Sequence, residues 1–288
     1  MIEAVGHRRW LLARGWCLAV TTALALTMPT VPVRAAANEV FIEALTSPEL
    51  AARVAAGATT ILLPIGGTEQ NGPHMVLGKH NRRVQLLAGR IAQQLGQTLV
   101  APVLAYVPEG SIDPPAAHMR FAGTISIGEP AFEALLESAA RSFRRHGFTE
   151  VVLLADHGGY LKSLERVATR LNSEWSKRPA AAGAAPARVV ALTDYYRAAV
   201  DGYAELLRTK GFAQAEIGSH AGLADTALSL ALDPSLVRLD KLQQAATASA
   251  REGVSGDPRR ATAELGQIGV DLMVVRSVDA IRSQRQRP

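Results

Sequence analysis

Three short polar segments carry the residue types that hold divalent cations and move protons. The first lies in LLPIGGTEQNGPHMVLGKHN, Leu62 to Asn81, where Glu69, Gln70, Asn71, His74 and His80 follow an apolar run broken at Gly66-Gly67. The second is Asp156-His157, set between the apolar run Val151 to Leu154 and Gly158-Gly159. The third runs from His220 to Asp225. Imidazole nitrogens and carboxylate oxygens are the ligand types of zinc and manganese. A cation held by them polarises a carbonyl and activates water, which is what hydrolytic chemistry at neutral pH requires.

Bringing the three segments together is the task of the elements between them. Thr59 to Ile65, Thr98 to Leu104, Val151 to Leu154 and Val189 to Leu192 read as buried strands. Apolar residues at helical spacing predict helices over 81–95 with Asn81 as cap, 131–145 ending at His146-Gly147, 160–175, 195–210 with Asp194 as cap, and 226–232. Ser47-Pro48 open an earlier helix, Ser47 as its cap. Strands alternating with helices predict an α/β fold, a three-layer α/β/α sandwich with a mainly parallel central sheet. Loops after the first and third strands then leave the same sheet edge, so Glu69 to His80 and Asp156-His157 converge, and His220 to Asp225 must close over them.

The long Pro/Gly-rich connection Tyr106 to Gly128, with His118, reads as a pocket wall or subunit contact. Residues 178–187 read as a surface loop and 241–265 as polar and mobile. Leu265 to Val275 leads into a last amphipathic segment, and the basic tail 282–288 reads as frayed.

At 288 residues and 48% hydrophobic content the chain is long enough for one large domain, expected over 38–288. Residues 1–37 differ in kind: Arg8, Arg9 and Arg14 precede an apolar run to Met28 and then Ala35-Ala36-Ala37. That is the pattern of a secretory signal peptide, by the general route or, through Arg8-Arg9, the twin-arginine route. The expectation is an exported protein, periplasmic or secreted, with no stable membrane insertion once the leader is removed. The leader holds four arginines and one glutamate, so its loss takes the formal charge from +5 to +2. A near-neutral remainder excludes nucleic acid as the expected partner. Cys17 lies in the leader, so the mature chain has neither a disulfide nor a thiolate ligand.

The block Gly66 to His74, with His80 closing the loop, resembles the creatininase (creatinine amidohydrolase) family. So do His118-Met119 with FAGTIS (Phe121 to Ser126), LLADHGGY (Leu153 to Tyr160) and HAGLADT (His220 to Thr226). The resemblance implies a creatininase-like α/β fold, a small-molecule substrate, a ring-like homo-oligomer, often a hexamer, and a divalent metal, zinc or manganese. Carried over residue by residue, it makes Glu69 and His157 metal ligands and His220 a proton-transfer residue or near ligand. Asp225 stands where the family has Glu, and His74 lies beside the ligands or faces substrate.

Two further positions depart from the family pattern. Asn71 replaces a loop His, and His80 replaces an Asp that bridges two metals, which a neutral imidazole with one lone pair cannot do. A single-metal site of Glu69, His80 and His157, completed by Asp156 or Asp225, therefore stands beside a two-metal site. The expected activity is metal-dependent hydrolysis of a C–N bond in a small cyclic amide or peptide-like substrate by metal-activated water, with His220, Asp225 and His74 as catalytic residues. His118 is expected to line the pocket or contact the oxyanion. A non-catalytic periplasmic ligand-binding protein on a degenerate creatininase fold is the alternative of a different class. A hydrolase or isomerase of a cyclic sugar ketone is a third.

Overall fold

The computed structural model describes residues 39–177, 186–248 and 252–286. The expected leader 1–37, with Cys17, and most of the loop 178–187 lie outside the described residues. Four apolar runs form parallel strands: β1 Thr60–Ile65, β2 Thr98–Val100, β3 Glu150–Ala155 and β4 Arg188–Ala191. Their order is β2-β1-β3-β4. The chain leaves β1 for β2 on one side and returns to β3 on the other, so the strand order reverses between the carboxyl ends of β1 and β3. In open α/β sheets that crevice is where ligands bind.

Strand side chains alternate between two cores. Leu62, Val152, Leu154 and Val190 face α2 (Lys79–Leu95), α5 (Thr193–Arg197), α6 (Ala204–Thr209), α8 (Leu223–Leu232) and α10 (Ala263–Gln286). Ile61, Leu63, Ile65, Val151 and Leu153 face α3 (Glu129–Arg145) and α4 (Leu161–Ser176). The expected three layers are present, with a sheet that is wholly parallel among the described residues. Each buried Leu, Ile, Val or Phe contributes about 1.5–3 kcal/mol. The pairs of Arg166 and Arg170 with Glu129, Glu133 and Glu137 between α3 and α4 lie in solvent, where screening leaves them little to contribute. The apolar seams, not the charge ladder, hold the layers together. Among the described residues no helix is long and apolar enough to cross a membrane.

Several local expectations are corrected. The first helix, α1 (Ser47–Ala55), is capped by Thr46, whose hydroxyl and backbone pair with Glu49. Helix α2 starts at Lys79, so His80 sits in its first turn and Asn81 is not its cap; Asn81 Oδ1 instead accepts from the Gly67 amide at 2.9 Å. Strand β2 ends at Val100 because Pro102 cannot donate to a ladder; the chain stays beside β1, Ala101 N donating to Leu62 O and Leu104 N to Pro64 O, both at 2.9 Å. Asp194 lies inside the first turn of α5, which starts at Thr193, and α8 begins at Leu223.

The segment 241–265 is not uniformly polar and mobile. It forms α9 (Leu242–Thr247), buries Val254, and pairs Ser255 with His220. The tail is not frayed through its basic residues. Helix α10 continues to Gln286, and Arg285 binds Glu150 and Thr60 at the amino end of the sheet.

Candidate metal centre

The site grows out of the end of β1. Its last carbonyl, Ile65 O, and Gly66 O lie 2.9 and 2.6 Å from the Tyr160 hydroxyl, which ties the loop after β1 to the turn after β3. Gly67 has φ +148°, and a Cβ there would stand 2.6 Å from Glu109 Oε1. Glycine is what lets the Tyr106–Gly128 connection push Glu109 against the loop. His157 precedes the short helical turn Gly158–Tyr160 and accepts from the Gly159 amide at 3.3 Å.

Glu69, Glu109, His118 and His157 each offer one ligand atom, and these atoms lie within 4.8 Å of one another. His118 Nδ1 is 3.2 Å and His157 Nε2 3.8 Å from Glu69 Oε2, while His157 Nδ1 is 3.5 Å from Glu109 Oε2. Glu69 is wholly buried and Glu109 nearly so. Glu69 Oε2 and both Glu109 oxygens have no hydrogen-bond partner among the described residues. Burial, and then the negative charge of Glu69, pushes the Glu109 carboxyl far above the usual carboxylate range. Burial also acts to raise Glu69, but the His80 hydrogen bond and nearby positive charge outweigh it and hold Glu69 low. Burial takes His157 down to about 3, so the ring is neutral at neutral pH and has one lone pair to offer. Buried carboxylate oxygens without donors, beside unprotonated imidazoles, are costly alone and are satisfied by a divalent cation. The donor set fits zinc or manganese.

The other residues singled out from the sequence surround this group. His80 spans two carboxylates, with Nε2 2.7 Å from Glu69 Oε1 and Nδ1 2.7 Å from Asp156 Oδ2. Asp156 also accepts from Arg83 Nε at 2.8 Å and the Tyr195 hydroxyl at 2.7 Å. Asp225 accepts from Lys79 Nζ, Arg83 Nη1 and the Ala221 amide at 2.8, 2.8 and 2.9 Å. His220 Nε2 lies 3.0 Å from the Gln70 carbonyl, which only accepts, so Nε2 carries the hydrogen. Its Nδ1 then keeps a lone pair 3.8 Å from Glu69 Oε1. Burial lowers His220 to about 4, with the Lys79 charge adding to the effect. His74 is buried beside the Thr226 hydroxyl at 2.9 Å and is likewise lowered to about 4 by burial. Asn71 donates to the Glu69 carbonyl at 2.9 Å and holds the loop closed.

Glu69 and His157 therefore fall inside the compact donor group and His80 and His220 border it. Asp156 and Asp225 sit behind in ion pairs, and His74 packs against α8. Glu109 was not legible as a site residue. Its only signal is an acidic side chain between Pro108 and Gly110 in an unusually long connection. His118, read as pocket lining, is both lining and donor. A cavity of about 480 Å³ opens beside the group, lined by His80, Arg83, His118, His157, Tyr196 and His220 among others.

Against known proteins, the model of the creatininase family, described as creatinine amidohydrolase, matches residues 43–281. The creatinine amidohydrolase of Pseudomonas putida is 29% identical over 264 residues, covering 86% of this chain and 98% of that protein. The mycofactocin precursor peptide peptidase of Mycolicibacterium smegmatis is 28% identical over 243 residues, 77% of this chain and 84% of that one. A manganese creatininase structure superposes with TM-score 0.70 at 28% identity, covering 86% of this chain and all of its own. A creatininase variant in a zinc-zinc form superposes with TM-score 0.66 at the same identity, covering 86% and 99%. A match over most of the chain, a shared fold and donor residues at the carboxyl ends of β1 and β3 agree: the chain belongs to the creatininase family, whose members are hydrolases acting on C–N amide bonds.

Proposed function

We propose that this protein is an exported, metal-dependent amidohydrolase that cuts a C–N bond in a small cyclic amide or peptide-like substrate. The observation that carries the reading is the set of buried Glu69 and Glu109 oxygens without donors beside the unprotonated His157. Glu69, Glu109, His118 and His157 are the proposed ligands of one divalent cation, zinc or manganese. When bound, such a cation polarises the amide carbonyl and acidifies water. His80, held between Glu69 and Asp156, orients the Glu69 carboxylate. His220, with Nδ1 free and facing Glu69, takes a proton from water and returns it to the leaving nitrogen. Asp225, through Lys79 and Arg83, keeps the helix starts in place around it. The donor group favours this reading over a ligand-binding protein without catalysis, and the leader-like residues 1–37 support export. Assembly as a homo-oligomer is proposed from family likeness alone.

Elemental analysis of the mature protein, purified without chelator, beside His157→Ala tests the proposal. Bound zinc or manganese, lost in the variant together with turnover of amide substrates, is the expected result. No metal after incubation with excess zinc or manganese would sink it.

A further inference from the structure

Gln70 is buried, and its side chain lies between His118 of the donor group and His220 beside it. Its Oε1 accepts from the Gly72 amide at 3.0 Å, which turns the NH2 end toward the two rings. Nε2 of Gln70 then stands 3.3 Å from His118 Nδ1 and 3.2 Å from His220 Nε2. The Gln70 main-chain carbonyl lies 3.0 Å from that same His220 nitrogen, and the two rings pack with centroids 4.7 Å apart.

Distant segments are shaped around this arrangement. Gly253, at φ +78°, packs so closely on the carboxamide that a Cβ would stand 1.9 Å from Gln70 Oε1. Two residues on, Ser255 pairs its main chain with that of His220 through hydrogen bonds of 2.8 and 3.2 Å. The main-chain amide of Gln70 donates to the Thr124 hydroxyl at 3.2 Å, which ties it to the connection that carries His118. Ala117 and Ala221, next to His118 and His220, have φ of +49° and +57°. Residues with a Cβ hold that left-handed conformation only where their surroundings over-determine it, most often at functional sites.

A neutral imidazole carries one hydrogen, and the hydrogen bond made at one nitrogen decides which of the two holds it. On His220 the carbonyl acceptor draws the hydrogen to Nε2. The Gln70 NH2 then finds no lone pair on that nitrogen and donates to His118 Nδ1 instead, so His118 too carries its hydrogen on Nε2. Each Nδ1 is left facing one oxygen of Glu69, His118 at 3.2 Å from Oε2 and His220 at 3.8 Å from Oε1. We infer that Gln70 is a positioning residue that fixes both histidines as the Nε2–H tautomer, so that two Nδ1 atoms already point at Glu69 in the metal-free protein. The consequence for the site rests on the metal-dependent reading above. His118 binds a cation through Nδ1 by giving up one long hydrogen bond and moving no proton, and His220 keeps Nδ1 free as a base.

Two-bond proton–nitrogen correlation spectra of isotope-labelled, metal-free protein at alkaline pH read the tautomers directly, with the rings assigned from His118→Gln and His220→Gln. A hydrogen on Nε2 of both rings is expected. Gln70→Glu keeps the shape but puts an acceptor where the amide donated. The His118 hydrogen should then move to Nδ1 while His220, held by the main chain, stays as it was; a merely structural role would disturb both rings or neither. In chelator competition the same variant should bind zinc roughly tenfold more weakly, although an added negative charge by itself would tighten binding. Gln70→Ala, which removes donor and acceptor alike, should leave His118 as a mixture of tautomers. A hydrogen on Nδ1 of either ring in the native protein overturns the inference, and so does a His118 tautomer indifferent to Gln70→Glu. Where Gln70→Glu does not fold, the native spectra and Gln70→Ala decide. Nε2–H on both rings in a native protein that takes up no zinc would support the tautomer assignment and sink the metal-dependent reading instead.

Discussion

Lys79 Nζ lies 2.8 Å from Asp225 Oδ2, with the lysine side chain wholly shielded from solvent. Lys79 opens α2, where the helix dipole disfavours a cation, so the pairing offsets both burial and dipole. It also joins the start of α2 to the start of α8, and Arg83 Nη1 adds a second contact to Asp225 at 2.8 Å. Lys79→Met leaves the part-buried Asp225 carboxylate with one cation fewer. It is expected to lower stability by about 3 kcal/mol in urea unfolding. A loss below about 1 kcal/mol would show that Arg83 alone suffices.

Glu109 is the residue on which the metal assignment differs most from the sequence reading. Glu109→Gln keeps the shape and removes the charge, and it should weaken zinc binding by roughly a hundredfold in chelator competition, while His80→Ala, which frees Glu69, costs about tenfold. Wild-type affinity in Glu109→Gln would remove Glu109 from the ligand set.

Gly67 makes room for Glu109. Gly67→Ala places a Cβ 2.6 Å from Glu109 Oε1 at a backbone angle that L residues avoid. A stability loss of about 1–3 kcal/mol is expected. Weakened zinc binding should accompany it, and unaltered binding would separate the glycine from the site.

Glu150 sets an acid limit on the fold. Burial pushes its carboxyl up, but hydrogen bonds and charge from Arg285 and Arg188 outweigh burial and hold it below the ordinary 4.5. A group whose folded pKa is depressed contributes stability that is complete above the unfolded value and lost as pH falls through the folded value. Unfolding followed with chelator present should therefore show stability falling below about pH 4.5, with a flatter profile in Glu150→Gln. Equal slopes in the two proteins would exclude Glu150 as the source.

Much of this protein is written in local patterns. The alternation in TILLPI and EVVLLA faces two cores, and the helical spacing of Val84, Leu87 and Ile91 needs an apolar neighbour; together they determine a parallel sheet with helices on both sides. Glu69 and His157, which the tertiary structure brings into one donor group, could be singled out in the sequence because each follows a buried strand within a few residues on a glycine-marked turn, at an edge that an open α/β sheet shares, and because both match the family's blocks. Glu109 was not, because nothing near it in the chain reports that Gly67 lets it pack against Glu69. Nor did His80 betray that its two nitrogens would meet two carboxylates, since that depends on α2 starting at Lys79 and not after the loop. Arg285 looked like tail because its partners, Glu150 and Thr60, lie far away in the chain. Periodicity is set residue by residue and survives in the sequence. The spacing of ligand atoms to within an ångström is the sum of many packing contacts between distant segments, and only the tertiary structure decides it.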